Sequence, residues 1–180
     1  GGSRTIYRAV RALPPAHRLV WEEGKLAVER YWSLRFEPEN PARSEASYLE
    51  ELDSLLRESV RRRMISDVPL GAFLSGGLDS SLVVALMASL SSRPVKTFTI
   101  GFDEEGYSEI EDARVVARHL GTDHTEHVVK PDAIAILRDL AWHYDEPFGD
   151  SSMIPTFYVC QMARREATVA LTGDGGDEVF

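Results

Sequence analysis

One cysteine in 180 residues excludes an internal disulfide, so no covalent staple holds the fold and a reducing, cytoplasmic compartment is expected. Long apolar runs are missing too: no stretch reaches the roughly 20 residues that span a bilayer. Basic residues are outnumbered, 20 against 29 acidic, and the formal net charge is −9. That balance argues against a nucleic-acid or anionic-membrane binder, whose partners demand a positive field over a broad surface. A phosphate ligand held by a few local groups is still allowed. Zinc-ligand spacing is absent as well, because His124 and His127 would point to opposite sides of a strand and no cysteine accompanies them. What is present is the composition of an ordinary globular chain, 43% hydrophobic and 27% charged. At this length roughly 70% of the unfolded surface can be buried, enough for one core.

Along the chain, residues 4–36 hold short apolar runs, Leu19-Val20-Trp21 and Leu26-Ala27-Val28, around a Glu22-Glu23-Gly24-Lys25 turn, the pattern of a hairpin. Residues 37–46, rich in Pro, Glu, Asn and Ser, read as a linker. Leu49, Leu52, Leu55, Leu56, Val60 and Met64 then recur at helical spacing over 47–65, with Ser44 or Ser47 as N-cap. Arg61-Arg62-Arg63 falls in the last turn, where cations suit the helix dipole.

From Val68 the pattern alternates: strands over 68–74, 95–102, 124–129 and 168–171, and helices over 79–90, 109–120, 132–143 and 154–165. Gly121 is placed to cap the second of these helices. This order predicts an α/β fold, a parallel sheet with helices on both faces, preceded by a short β-rich segment. Ligands of such sheets sit beyond the carboxyl ends of the strands. The loops at 75–81, 101–107 and 172–178 all follow strands and should share that rim.

The strongest local signal is Ser75-Gly76-Gly77-Leu78-Asp79-Ser80-Ser81 between a buried strand and a helix. Two glycines let the backbone turn tightly, and the helix N-terminus adds free N–H groups and a positive dipole end. With three hydroxyls this forms a pyrophosphate cradle that needs no basic residue. It is neither a Walker A loop nor a G-x-S-x-G nucleophile elbow. The bland alternative is a Ser/Gly turn with Asp79 as N-cap.

These residues resemble the S-G-G-x-D-S signature of the PP-loop ATP pyrophosphatases, a Rossmann-like α/β group. The run Gly71-Ala72-Phe73-Leu74-Ser75-Gly76-Gly77-Leu78-Asp79-Ser80-Ser81 is similar to the synthetase domain of glutamine-dependent asparagine synthetases. Further matches are Phe98-Thr99-Ile100-Gly101-Phe102, Asp145-Glu146-Pro147-Phe148-Gly149-Asp150-Ser151-Ser152 and Leu171-Thr172-Gly173-Asp174-Gly175-Gly176-Asp177-Glu178. Four motifs in order leave little room for the turn-only alternative.

The resemblance implies ATP and magnesium as cofactors, and aspartate and glutamine-derived ammonia as substrates. Aspartate's side-chain carboxylate would be activated as an acyl-adenylate, with release of pyrophosphate and then AMP. Carried over by position, Leu74 and Ile100 would lie against the adenosine, and Ser75, Gly76, Gly77, Asp79, Ser80 and Ser81 would hold the pyrophosphate. Asp79 and Asp177 would coordinate magnesium, and Thr172 and Gly173 would contact ATP. Asp174 and Asp177 are the catalytic candidates, Asp174 standing where some members carry glutamate. The Asp145 to Ser152 loop is a candidate for lining the aspartate side, against the alternative of a solvated turn. Asp103-Glu104-Glu105 is expected to be a solvated loop.

The resemblance also sets expectations for the chain's extent. Residues 1–3 look like the remnant of a cleaved tag, 4–36 like the carboxyl-terminal edge of a glutaminase-type domain, and 47–180 like the first half of an ATP-binding synthetase domain. A piece of a longer enzyme is therefore expected, itself without glutaminase activity. A homodimer of the parent is compatible with this. Cys160 is expected to be a small buried hydrophobe. Two alternatives stay open: another PP-loop amidotransferase, of the β-lactam synthetase or cell-surface polymer kind, and a nucleotide-binding module without catalysis.

Overall fold

The computed structural model describes residues 3–36, 43–103, 109–130, 132–146 and 148–178. Pro147, Glu104, Glu105, the ends of the chain and most of the expected linker lie outside the described residues. Strands β1 (His17–Glu22) and β2 (Lys25–Arg30) form the expected antiparallel hairpin, with Glu22 paired to Lys25 across the turn. Its apolar side chains, Trp21 and Leu26 among them, are exposed.

Helix α1 (Glu45–Arg63) starts at Ser44, whose hydroxyl accepts the Ser47 N–H. Of the two candidate caps the structure uses Ser44. Arg61 and Arg62 both pair with Glu58, one turn back, so the arginine run is spent on its own helix.

The sheet contains β3 (Leu70–Phe73), β4 (Lys96–Phe102), β5 (Asp123–Val129) and β6 (Val169–Leu171), all parallel, in the order β5-β4-β3-β6. Between them run α2 (Leu78–Leu90), α3 (Ile110–Leu120), α4 (Ala133–Tyr144) and α5 (Met153–Ala163). Two-residue alternation divides the strands between two faces. Ala72 and Leu74 turn toward α1, α2 and α3, joining Val60, Val84, Met87, Ala113 and Ala117. Phe73, Phe98 and Ile100 turn the other way, onto Val159, Met162 and Ala163 of α5. Helices therefore cover both faces, as the alternating pattern predicts. The chain steps outward from β3 to β4 and β5, then returns to place β6 on the other side of β3. That reversal at β3 opens a crevice beyond its carboxyl end.

The alternative of an Asp79 cap falls, and one local expectation is corrected. Gly77, not Asp79, is the N-cap of α2, and it offers no side-chain cap, so Asp79 sits within the first turn. Cys160 is exposed, not buried, because the buried side of α5 is carried by Met162 and Ala163 and Cys160 rotates away from it. The partial desolvation of its thiol still pushes its pKa up. Among the described residues no helix is long and apolar enough to cross a membrane.

Beneath α3, Thr97 Oγ1 is hydrogen-bonded to Thr122 Oγ1 and to His124 Nδ1, both at 2.9 Å. His124 Nε2 is buried without a hydrogen-bond partner among the described residues, with Glu126 Oε2 3.9 Å away. Burial holds this imidazole below its ordinary value of 6.5, outweighing the pull of Glu126, and Arg114 adds to the lowering. The unfolded chain thus takes up a proton below about pH 6.5 that the folded chain refuses. Stability is full above that value and falls as pH drops toward the folded-state pKa. Urea unfolding should show stability declining from about pH 7 to 5.5, with a shallower decline in His124→Gln. An unchanged slope in that variant would assign the decline to other groups.

Gly76 has φ of +86°, and a Cβ there would lie 2.6 Å from Asp112 Cβ and 2.7 Å from the Ala113 nitrogen at the start of α3. Gly121 has φ of +64° with nothing within 4 Å of its missing Cβ. Gly121→Ala should cost about 1–2 kcal/mol, the left-handed penalty alone. Gly76→Ala should cost clearly more in the same unfolding assay, because backbone must also move. Equal costs would mean that the loop shifts freely off α3.

Candidate functional site

Beyond Phe73, whose partner on β4 is Phe98, β3 leaves the sheet, while β4 runs on to Phe102 beside β5. Leu74 donates its N–H to the Phe98 carbonyl at 3.0 Å and is 1% exposed, so the entry to the glycine loop is anchored in the core. The loop then closes on its own hydroxyls. Ser75 Oγ accepts the Gly77 N–H at 3.2 Å and lies 2.9 Å from Ser80 Oγ. Ser80 Oγ accepts the Ser75 N–H at 3.3 Å and donates to the Gly77 carbonyl at 3.2 Å. Each hydroxyl both gives and receives, and no side chain caps the first turn of α2, whose N-cap residue is Gly77.

The loop after β6 meets this turn from across the crevice. A Cβ at Gly173 would lie 2.6 Å from the Ser80 nitrogen, and one at Gly176 would lie 2.3 Å from Asp79 Cγ. No side chain fits at either place. The Asp79 carboxylate occupies the room that Gly176 leaves. The loop itself is shaped by the Thr172 hydroxyl, which accepts the Asp174 N–H at 3.2 Å, and by a turn bond from the Gly176 N–H to the Gly173 carbonyl at 3.2 Å.

Between the two loops lies a cavity of about 950 Å³. Of the residues singled out from the sequence, Leu74, Ser75, Gly77, Asp79, Ser80, Ile100, Thr172, Gly173, Asp174 and Asp177 line it. Gly76 stands behind the loop, against α3. Ser81 is not brought to the cavity. One helical step of about 100° turns it away from Ser80, and its hydroxyl is buried with no partner among the described residues. Thr99, quoted within the Phe98 to Phe102 match but given no role there, also walls the cavity, as do Glu109 and Pro155, Thr156 and Val159 of α5, which carried no signal in the sequence.

The described part of the Asp145 to Ser152 stretch does not line this cavity. Asp145 ends α4 in a left-handed conformation with its N–H on the Ala141 carbonyl, and Asp150 Oδ1 accepts the Ser152 N–H at 2.8 Å, which lowers the Asp150 pKa. Glu146, Phe148 and Gly149 wall a separate cavity of about 430 Å³ with Leu137, Leu140 and Tyr144, whose ring stacks on Phe148 at 4.4 Å. Asp103 is paired with Lys130 at 3.0 Å, as a solvated loop residue would be.

The donor set of the large cavity suits a hard cation held on phosphate oxygens. Five carboxylates line it, those of Asp79, Glu109, Asp174, Asp177 and Glu178, but no group of three or more is gathered closely enough to hold a metal ion by itself among the described residues. Magnesium takes one or two carboxylates and leaves its other positions to water and substrate.

A family model described as asparagine synthase matches residues 51–180. A putative glutamine-hydrolysing asparagine synthetase of Methanocaldococcus jannaschii is 39% identical over 178 residues, 98% of this chain and 34% of its own length. A glutamine-hydrolysing asparagine synthetase of Bacillus subtilis is 34% identical over 98% of this chain and 28% of its own. The chain thus spans about a third of the length of these curated relatives or less. An amidase, chyE, of Penicillium rubens is 32% identical over 99% of this chain and 29% of its own length. Among solved structures, a glutamine-dependent NAD+ synthetase from Acinetobacter baumannii in complex with ADP superposes with a TM-score of 0.49 and 19% identity, over 80% of this chain and 28% of that one. With the model match running through both glycine loops that close the cavity, the chain belongs to the asparagine synthase family.

Proposed function

We propose that the whole protein is an ATP-dependent amide ligase of the asparagine synthetase type, and that the 950 Å³ cavity is its nucleotide and adenylation site. The observation that carries this reading is the single cavity shared by the serine–glycine loop at the start of α2 and the acidic loop after β6. The first collects N–H and hydroxyl donors for phosphate oxygens. The second supplies carboxylates for a cation and for an incoming amine.

In this reading the adenosine lies against the backbone of Leu74, whose side chain is in the core, and against Ile100, while the N–H groups of residues 75–77 and of the first turn of α2, with the Ser75 and Ser80 hydroxyls, receive the pyrophosphate. Bound magnesium would spread the charge of the leaving pyrophosphate, and Asp79 and Asp177 would hold it. The aspartate side-chain carboxylate attacks the α-phosphorus, pyrophosphate leaves, and ammonia displaces AMP from the acyl-adenylate. The loop donors act on charge that develops on the leaving group, so no covalent enzyme intermediate is required. Asp174 orients the substrate or the incoming ammonia, and Thr172 and Gly173 hold ATP from the β6 side. Residues 4–36 are assigned to the edge of a glutaminase-type domain and 47–180 to the first half of the synthetase domain, joined by 37–46. The ammonia source is assigned to the whole protein.

The similarity to an amidase favours a second reading, the same activation applied to a different carboxylate. In the whole protein, aspartate should support magnesium-dependent pyrophosphate release from ATP, and Asp79→Ala should lower it by at least ~100-fold. Release that persists in that variant would overturn the site. Release supported by another carboxylate and not by aspartate would select the second reading.

A further inference from the structure

We infer that Thr99 is a positioning residue for the nucleotide loop, acting through the Leu74 carbonyl; this deepens the reading of the cavity as an ATP site. After Phe73 and Phe98 the β3–β4 ladder ends, and the Leu74 carbonyl takes the Thr99 hydroxyl as its donor. A side chain from the neighbouring strand thus replaces a ladder N–H at the point where β3 leaves the sheet.

The consequence follows from peptide planarity. The Leu74 carbonyl and the Ser75 N–H belong to one rigid trans unit and point in opposite directions. Fixing the carbonyl on Thr99 fixes the direction of the Ser75 N–H, which lands on Ser80 Oγ at 3.3 Å. Ser80 Oγ is in turn bonded to the Ser75 hydroxyl, which receives the Gly77 N–H. The whole donor array of the loop therefore hangs from one plane whose other end is held by Thr99. Thr99 is 3% exposed and lies in the cavity wall, so water does not compete for its hydroxyl. Thr97, two residues earlier on the same strand and 0% exposed, spends its hydroxyl on Thr122 and His124, away from the cavity. It is the matched control.

The experiment measures hydrogen exchange of the Ser75 amide by NMR, and magnesium–ATP binding by calorimetry, in the 180-residue chain and its variants. Thr99→Val removes the hydroxyl at constant shape. It should speed Ser75 exchange about tenfold relative to Thr97→Val and weaken ATP binding by a similar factor, one lost buried hydrogen bond. Thr99→Ser should restore both. If the valine variant does not fold, Thr99→Ala provides the same comparison. Ser75 exchange in the Thr99 variants equal to that in Thr97→Val overturns the inference. If neither the chain nor the whole protein binds ATP and Ser75 exchange still follows Thr99, the positioning role stands and the nucleotide reading falls.

Discussion

The loop after β6 approaches the first turn of α2 more closely than any side chain would permit, and the rim of the sheet is organised around that approach. Gly173 lies against the Ser80 backbone and Gly176 against the Asp79 carboxylate. Only the sheet order makes the contact available, because β6 returns to the far side of β3 and delivers its loop opposite the glycine turn. The carboxylates so delivered stand near the positive end of α2, where helix geometry favours negative charge.

A chain of net charge −9 can still offer an anion a welcoming surface, since the donors here are backbone N–H groups and hydroxyls. They are held ready, with Ser75 and Ser80 bonding one another and the loop backbone. A phosphate entering the cradle would exchange these bonds for stronger charged ones without leaving a donor unpaired. The loop N–H groups of Ser75 and Gly77 are each given an acceptor within the loop itself.

Much of the fold was legible because its signals are local. The hairpin turn, the Ser44 cap, the Gly121 stop and the alternation of periods placed the elements within a few residues. The glycine–serine loop was legible for the same reason. Cys160 and Ser81 were misplaced because exposure depends on which side of a helix finds a partner, and neither α2 nor α5 has a strongly one-sided pattern that would reveal it. The Asp145 to Ser152 stretch matched a family motif, yet its described residues close the end of α4 and wall a different cavity. Glu109 and the α5 residues of the wall carry no local mark, and the motif that holds Thr99 does not say what its hydroxyl meets, since a threonine in a strand or an apolar residue in a helix looks the same whatever it faces.

By itself the sequence determined the kind of fold, the cradle and its acidic counterpart, because strand and helix periods, left-handed turns and helix starts are set by neighbours a few residues apart. Tertiary structure alone decided that Asp79 meets Gly176, that the Leu74 carbonyl takes the Thr99 hydroxyl, and that Ser81 turns away. These contacts join segments that nothing local couples, and they follow only from the order in which the strands take their places in the sheet.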